Sequence, residues 1–142
     1  MVELHGNARK AECFACHTPV DREKIHESIL SGEERAPVCV RRECPGVIKP
    51  TVVDFGERLS GHVQRMATEA LESLDTCDLL LCMGTSLTVS PANRLPKIAV
   101  ENGIPLVMIN LSETHCDHLA AVCLRSKAGP SVDAILKELG RC

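Results

Sequence analysis

Four cysteines set the terms for the first third of this chain. They stand as Cys13-x2-Cys16-x22-Cys39-x4-Cys44. Residues 7–49 around them are rich in charge and hold no long apolar run. Such a segment cannot close a core by hydrophobic burial alone and calls for a metal or covalent staple. Two close pairs separated by a loop can each give two thiolates to one tetrahedral ion. The loop is slightly longer than the common template and the second pair is wider. The spacing still argues for a structural Zn2+ held by Cys13, Cys16, Cys39 and Cys44.

Two other chemistries fit part of this pattern. Cys13–His17 also matches the C-x-x-C-H signature of c-type haem attachment. The second cysteine pair and the lack of an export signal argue against it. A redox C-x-x-C dithiol would open a helix after a strand, and neither is evident here. The start of the chain, Met1–Gly6, lacks the basic and apolar regions of a signal peptide. A reducing, intracellular setting is therefore expected, in which the odd total of nine cysteines points away from a disulfide framework. Cys82 and Cys123 stand in apolar runs and are expected in the core. Cys77, Cys116 and Cys142 have no ligand spacing and no assigned role.

Beyond Pro50 the pattern changes to alternating apolar runs and amphipathic stretches. Residues 50–55 read as a short strand. Ser60 could cap a helix to about Asp75, with Val63, Met66, Ala67, Ala70, Leu71 and Leu74 on one face. Leu79–Met83 has strand length. Ser90 and Pro91 suit a helix start, and Asn102-Gly103 suits its end, with Pro96 kinking or splitting it. Residues 105–109 and 120–124 read as further strands. Ser131 is expected to cap a last helix carrying Val132, Ile135, Leu136 and Leu139, which Gly140 ends. Strand–helix–strand–helix–strand order with near-continuous apolar strands predicts a parallel α/β sheet, partial and Rossmann-like, covered on both faces. Ligands bind such sheets beyond the carboxyl ends of the strands. Gly84, Thr85, Ser86 and Asn110 fall at two such ends.

Composition removes two classes of partner. The formal charge is −3, and Phe14 and Phe55 are the chain's whole aromatic content. A basic phosphate-tracking groove and a base-stacking platform both lack their residues, so no direct nucleic-acid partner is expected. No apolar run approaches the roughly 20 residues that span a bilayer, so no membrane partner is expected either.

Several segments in order carry a family resemblance: Glu3–Asn7, the paired cysteines, Cys44–Glu57, Asp78–Val89, Pro105–Asn110 and the helical tail. Together they resemble the sirtuins, the NAD-dependent protein-lysine deacylases. The resemblance implies residues 1–6 as the end of a catalytic strand and loop, 7–49 as the zinc module and 50–142 as the C-terminal part of a Rossmann-like NAD-binding domain. It implies His5 as general base, a role suited to a side chain whose ordinary pKa lies near neutrality. The four cysteines match the family's structural zinc ligands. Gly84, Thr85 and Ser86 match the segment at the NAD ribose and phosphate. Asn110, Leu111 and Ser112 match the adenosine end, with Ala128 beside the adenine. Val53, Phe55, Gly56 and Glu57 match the segment that pairs with an acyl-lysine peptide or protein substrate by strand addition. Asp54 replaces the family's usual aromatic residue at the acyl-lysine tunnel.

The family's Gly-Ala-Gly phosphate loop has no counterpart among these residues. The resemblance therefore implies an incomplete, carboxyl-terminal form with little or no turnover alone. The alternative is a zinc-stabilised interaction module, derived from a sirtuin, that has lost catalysis. Acyl preference, organelle and oligomeric state have no sequence signal.

Overall fold

The computed structural model describes residues 2–33 and 36–140. They gather into two compact units, Glu3–Ser60 and the residues from Gly61 onward. The boundary falls eleven residues later than the one expected at 49/50, because 51–60 are bonded into the first unit. Thr51 N–H donates to Lys10 O at 3.0 Å and Val53 N–H to His5 O at 3.0 Å.

The first unit is built on a small antiparallel sheet of order β2-β1-β3, from β1 (Ala11–Cys13), β2 (Pro19–Val20) and β3 (Ile48–Pro50). The strand expected over 50–55 is β3, which ends where that reading began. Its residues pair with β1 from Cys13↔Ile48 to Ala11↔Pro50. A helix that periodicity did not reveal, α1 (Arg22–Ser31), leaves β2. The Asp21 carboxylate accepts the N–H groups of Glu23 and Lys24, and Gly32 ends the helix at φ 78°. This helix buries no residue, so no apolar stripe marks it in the sequence. Among the described residues the core is Ala11, Cys13, Cys39 and Ile48, with Cys16, Val20, Ile25 and Cys44 packed against it.

The second unit is a three-stranded sheet of order β4-β5-β6, from β4 (Leu80–Met83), β5 (Leu106–Ile109) and β6 (Val122–Leu124), all parallel. Before it, α2 (Gly61–Glu69) is shorter than the helix expected to Asp75. Of its expected apolar face only Leu71, just beyond its end, is buried, against Ala99 and Ile104. Pro96 splits the next helix as expected. A 3-10 turn, Ala92–Arg94, precedes α3 (Leu95–Glu101), which places Pro96 in its first turn, where the missing N–H costs nothing. The last helix, α4 (Ala128–Glu138), starts three residues before the cap expected at Ser131, whose hydroxyl instead donates to Lys127 O.

Ile104, Leu106, Met108 and Ile109 are almost fully buried. β5 is central in this sheet, and both outer strands are more open than expected. β6 has no buried residue, and Leu81 and Met83 of β4 are exposed. Consequently Cys123, on β6, is exposed rather than in the core, and Cys82 is half-buried. Cys116 is the buried one, packed with Leu87, Leu106 and Met108. Cys142 lies outside the described residues. Among the described residues no helix is long and apolar enough to cross a membrane.

Candidate functional site

The four cysteines converge. Their sulfurs all lie within 4.8 Å of one another, with Cys13 to Cys44 and Cys16 to Cys39 both 3.6 Å apart. Zn–S bonds of about 2.3 Å require S···S edges of about 3.8 Å in a tetrahedron, so the cluster fits Zn2+ in size and donor set. Two reversals of the chain create it. The β1–β2 turn closes with Cys13 N–H donating to Thr18 O and His17 N–H to Cys13 O, while His17 adopts φ 54°. The second pair sits on a turn closed by the Val38↔Val47 bridge, with Cys39 N–H donating to Gly46 O at 2.8 Å. Gly46 has no substitute here. A Cβ on it would lie 2.4 Å from Cys13 Sγ.

The electrostatics agree with a cation. The Thr18 hydroxyl, 3.1 Å from Cys16 Sγ, does most to pull that thiol down, to about 6. At Cys39 the Arg41 N–H pulls the same way, but burial and the three neighbouring thiols outweigh it and push the group to about 12. The cluster accepts one negative charge readily and resists more until a positive ion is present.

His5 lies in an exposed turn. The next residue, Gly6, is held at φ 67°, and a Cβ there would fall 1.8 Å from Thr51 O. This glycine therefore allows the segment 51–53 to dock on the turn that presents His5, and the His5 O···Val53 N–H bond fastens the two. Val53–Glu57 is not an extended strand. Glu57 N–H donates to Asp54 O at 3.0 Å, and Gly56 takes φ 93°, closing a tight turn that leaves Phe55 97% exposed. The N–H groups of Val53, Asp54 and Glu57 are thus already used, leaving those of Phe55 and Gly56 at the tip.

Lys49 holds this turn, and sequence reasoning missed it. Its Nζ is 2.6 Å from the Glu57 carboxylate, 3.0 Å from Asp54 and 5.5 Å from the Phe14 ring centroid. Burial acts to lower the lysine pKa, yet the two carboxylates raise it overall. The same contact, helped by Asp54 N–H, lowers Glu57. Asp54, the residue at odds with the family pattern, is thus turned onto Lys49. A basic residue five and eight positions before two acids was the available signal.

In the second unit the parallel register decides the layout. Met83 pairs with Ile109 and Ile109 with Leu124, so the segments after β4, β5 and β6 leave one end of the sheet together. That end carries Gly84, Thr85 and Ser86, then Asn110, Leu111 and Ser112, then Ala128 opening α4. Gly84 stands at φ 60° with nothing within 4 Å of where a Cβ would be, so a ligand can approach its backbone closely. Thr85 Oγ1 accepts Leu87 N–H, Ser86 shares a hydroxyl contact with Thr88, and Asn110 Nδ2 donates to Ser112 O.

The model of the Sir2 family matches residues 1–91. The chain belongs to the Sir2 family. An NAD-dependent protein deacetylase of Sulfolobus acidocaldarius is 39% identical over 127 residues, 89% of this chain and 47% of that protein. The NAD-dependent protein deacetylase 2 of Streptomyces coelicolor is 37% identical over 140 residues, 99% of this chain and 56% of that protein. A solved Sir2–p53 peptide–NAD+ complex matches with a TM-score of 0.86 at 30% identity, over 99% of this chain and 56% of that one. A Sir2 bound to acetylated peptide matches with a TM-score of 0.87. The chain spans about half the length of these Sir2 relatives. The fold is the mixed α/β arrangement with a parallel sheet and a four-cysteine module that the sequence implied.

Proposed function

We propose that this chain is part of an NAD-dependent protein-lysine deacylase acting in a reducing, intracellular setting. The observation that carries this reading is the common sheet end where residues 84–86, 110–112 and 128 emerge, in a chain of the Sir2 family. NAD would supply an activated ribose carbon that takes the acyl-lysine oxygen as nicotinamide leaves. His5 would accept the proton of a ribose hydroxyl, and its backbone bond to Val53 ties the turn that carries it to the peptide segment. Phe55 and Gly56 would offer the free N–H groups for substrate pairing. Small or hydroxyl side chains at Gly84, Thr85 and Ser86 would admit the ribose and phosphates, and Asn110, Leu111, Ser112 and Ala128 the adenosine end.

Alone, the chain should bind NAD weakly and turn over little; the test is nicotinamide release and loss of the acetyl mark from an acetyl-lysine peptide incubated with NAD and a longer form that also carries a Gly-Ala-Gly phosphate loop. His5→Ala should lower turnover by about 10²–10⁴-fold while NAD still binds. Such a longer form that folds around zinc but neither binds NAD nor changes the peptide, or robust deacylation by the 142 residues alone, would sink this reading. The exposed Leu81 and Met83 on outer strand β4 would then favour an interaction module that pairs its sheet edge with a partner.

A further inference from the structure

A cleft of about 530 Å³ opens on the second unit between the start of α3 and the segment 115–119. It shares no residue with the sheet end described above. Asn93, Arg94 and Lys97 form one wall, His115 and His118 the other, and Leu119 is part of the apolar lining. No acidic side chain lines it, although the chain as a whole is acidic. Of two acidic groups close to these residues in the chain, one is turned to other partners and one reaches a lining lysine from outside. Asp117 accepts the Thr114 N–H and hydroxyl and is paired with Arg125. Glu101 reaches Lys97 at 3.5 Å across an exposed helix face, a contact of small worth. The Arg94 guanidinium has no ion pair or hydrogen bond among the described residues. Asn93 Oδ1 is buried without a partner, and a buried polar atom left unpaired is costly.

We propose that this cleft binds a small phosphorylated metabolite. Its volume suits a molecule of mononucleotide size. The Arg94 fork can take two phosphate oxygens at once, Lys97 and the histidine N–H groups can take others, and a hydroxyl on the ligand can satisfy Asn93. The site stands independently of the deacylase reading.

The test is amide NMR of the 15N-labelled chain titrated with inorganic phosphate at constant ionic strength, and then with adenosine monophosphate. Saturable shifts at Asn93, Arg94, His115 and His118 are expected. Arg94→Gln should weaken binding by about tenfold, roughly 1.4 kcal/mol. Lys137→Gln, on α4, should leave it unchanged. Unchanged Met108 and Ile109 signals would show that both variants fold. Shifts that instead centre on residues 84–86 and 110–112, that never saturate, or that ignore Arg94→Gln would overturn the site. Tighter binding of a phosphoserine peptide than of the nucleotide would overturn the small-molecule assignment.

Discussion

The two units solve the same stability problem with opposite means. The core of the first is two aliphatic residues and two thiols, Ala11, Ile48, Cys13 and Cys39. The core of the second is a buried strand, with Leu106, Met108 and Ile109 at 1% exposure or less. Apolar burial at about 25 cal/mol per Å² can carry the second unit. The first has too little of it, and its folding free energy is linked to whatever binds its sulfurs. One chain therefore has two independent sensitivities, one to metal and one to packing.

The largest effect should come from removing the metal. Elemental analysis should find about one zinc per chain. A strong chelator removes a binding free energy on the order of 10–16 kcal/mol and should melt β1–β3 while amide exchange in β4–β6 stays slow, and Cys13→Ala should weaken the same strands by part of that amount. Simultaneous collapse of both units would break the comparison. Met108→Ala is the converse experiment. It should cost the second unit about 2–5 kcal/mol, read as a lower denaturation midpoint, with zinc stoichiometry unchanged.

Gly6→Ala sharpens the contrast inside the first unit. Strain at φ 67° costs about 1–3 kcal/mol, and Thr51 must also move. Zinc should stay bound while the slow exchange of Val53 N–H is lost; continued protection there would contradict the packing described. The smallest effect is acidic. Asp117 is held below its ordinary 3.8, first by the Thr114 N–H and hydroxyl and then by Arg125. A lowered carboxylate stabilises above its unfolded value and loses that contribution as pH falls through its folded one. The second unit should therefore weaken in acid below 3.8, and Asp117→Asn should flatten that part of its melting profile against pH.

These contrasts also show what a sequence displays. The cysteine spacing was legible because four thiolates on one ion leave little freedom in loop length. β4 and β5 were legible because runs such as Leu106–Ile109 have few other uses. α1 was hidden because no residue of it is fully buried, although Asp21 and Gly32 bracket it. The length of α2 was overread because Leu71 and Leu74 continue the helical spacing beyond Glu69, where the chain turns. Cys123 and Cys116 exchanged places because hydropathy does not say that β6 is an outer strand. Around the candidate site, the fastening of the chain was not legible. The Lys49–Glu57 contact and the docking of Gly6 on Thr51 depend on β1 and β3 being neighbours, which local pattern does not encode.

The bond from His5 O to Val53 N–H has a consequence for the order of assembly. Unaided, it closes a loop of 48 residues. Once Cys13 and Cys44 are 3.6 Å apart, the free path is eight residues on one side and nine on the other. Loop entropy scales with the logarithm of length, so the shortcut is worth about 1 kcal/mol. Metal capture would thus lower the entropic cost of closing the bond that ties the His5 turn to Val53.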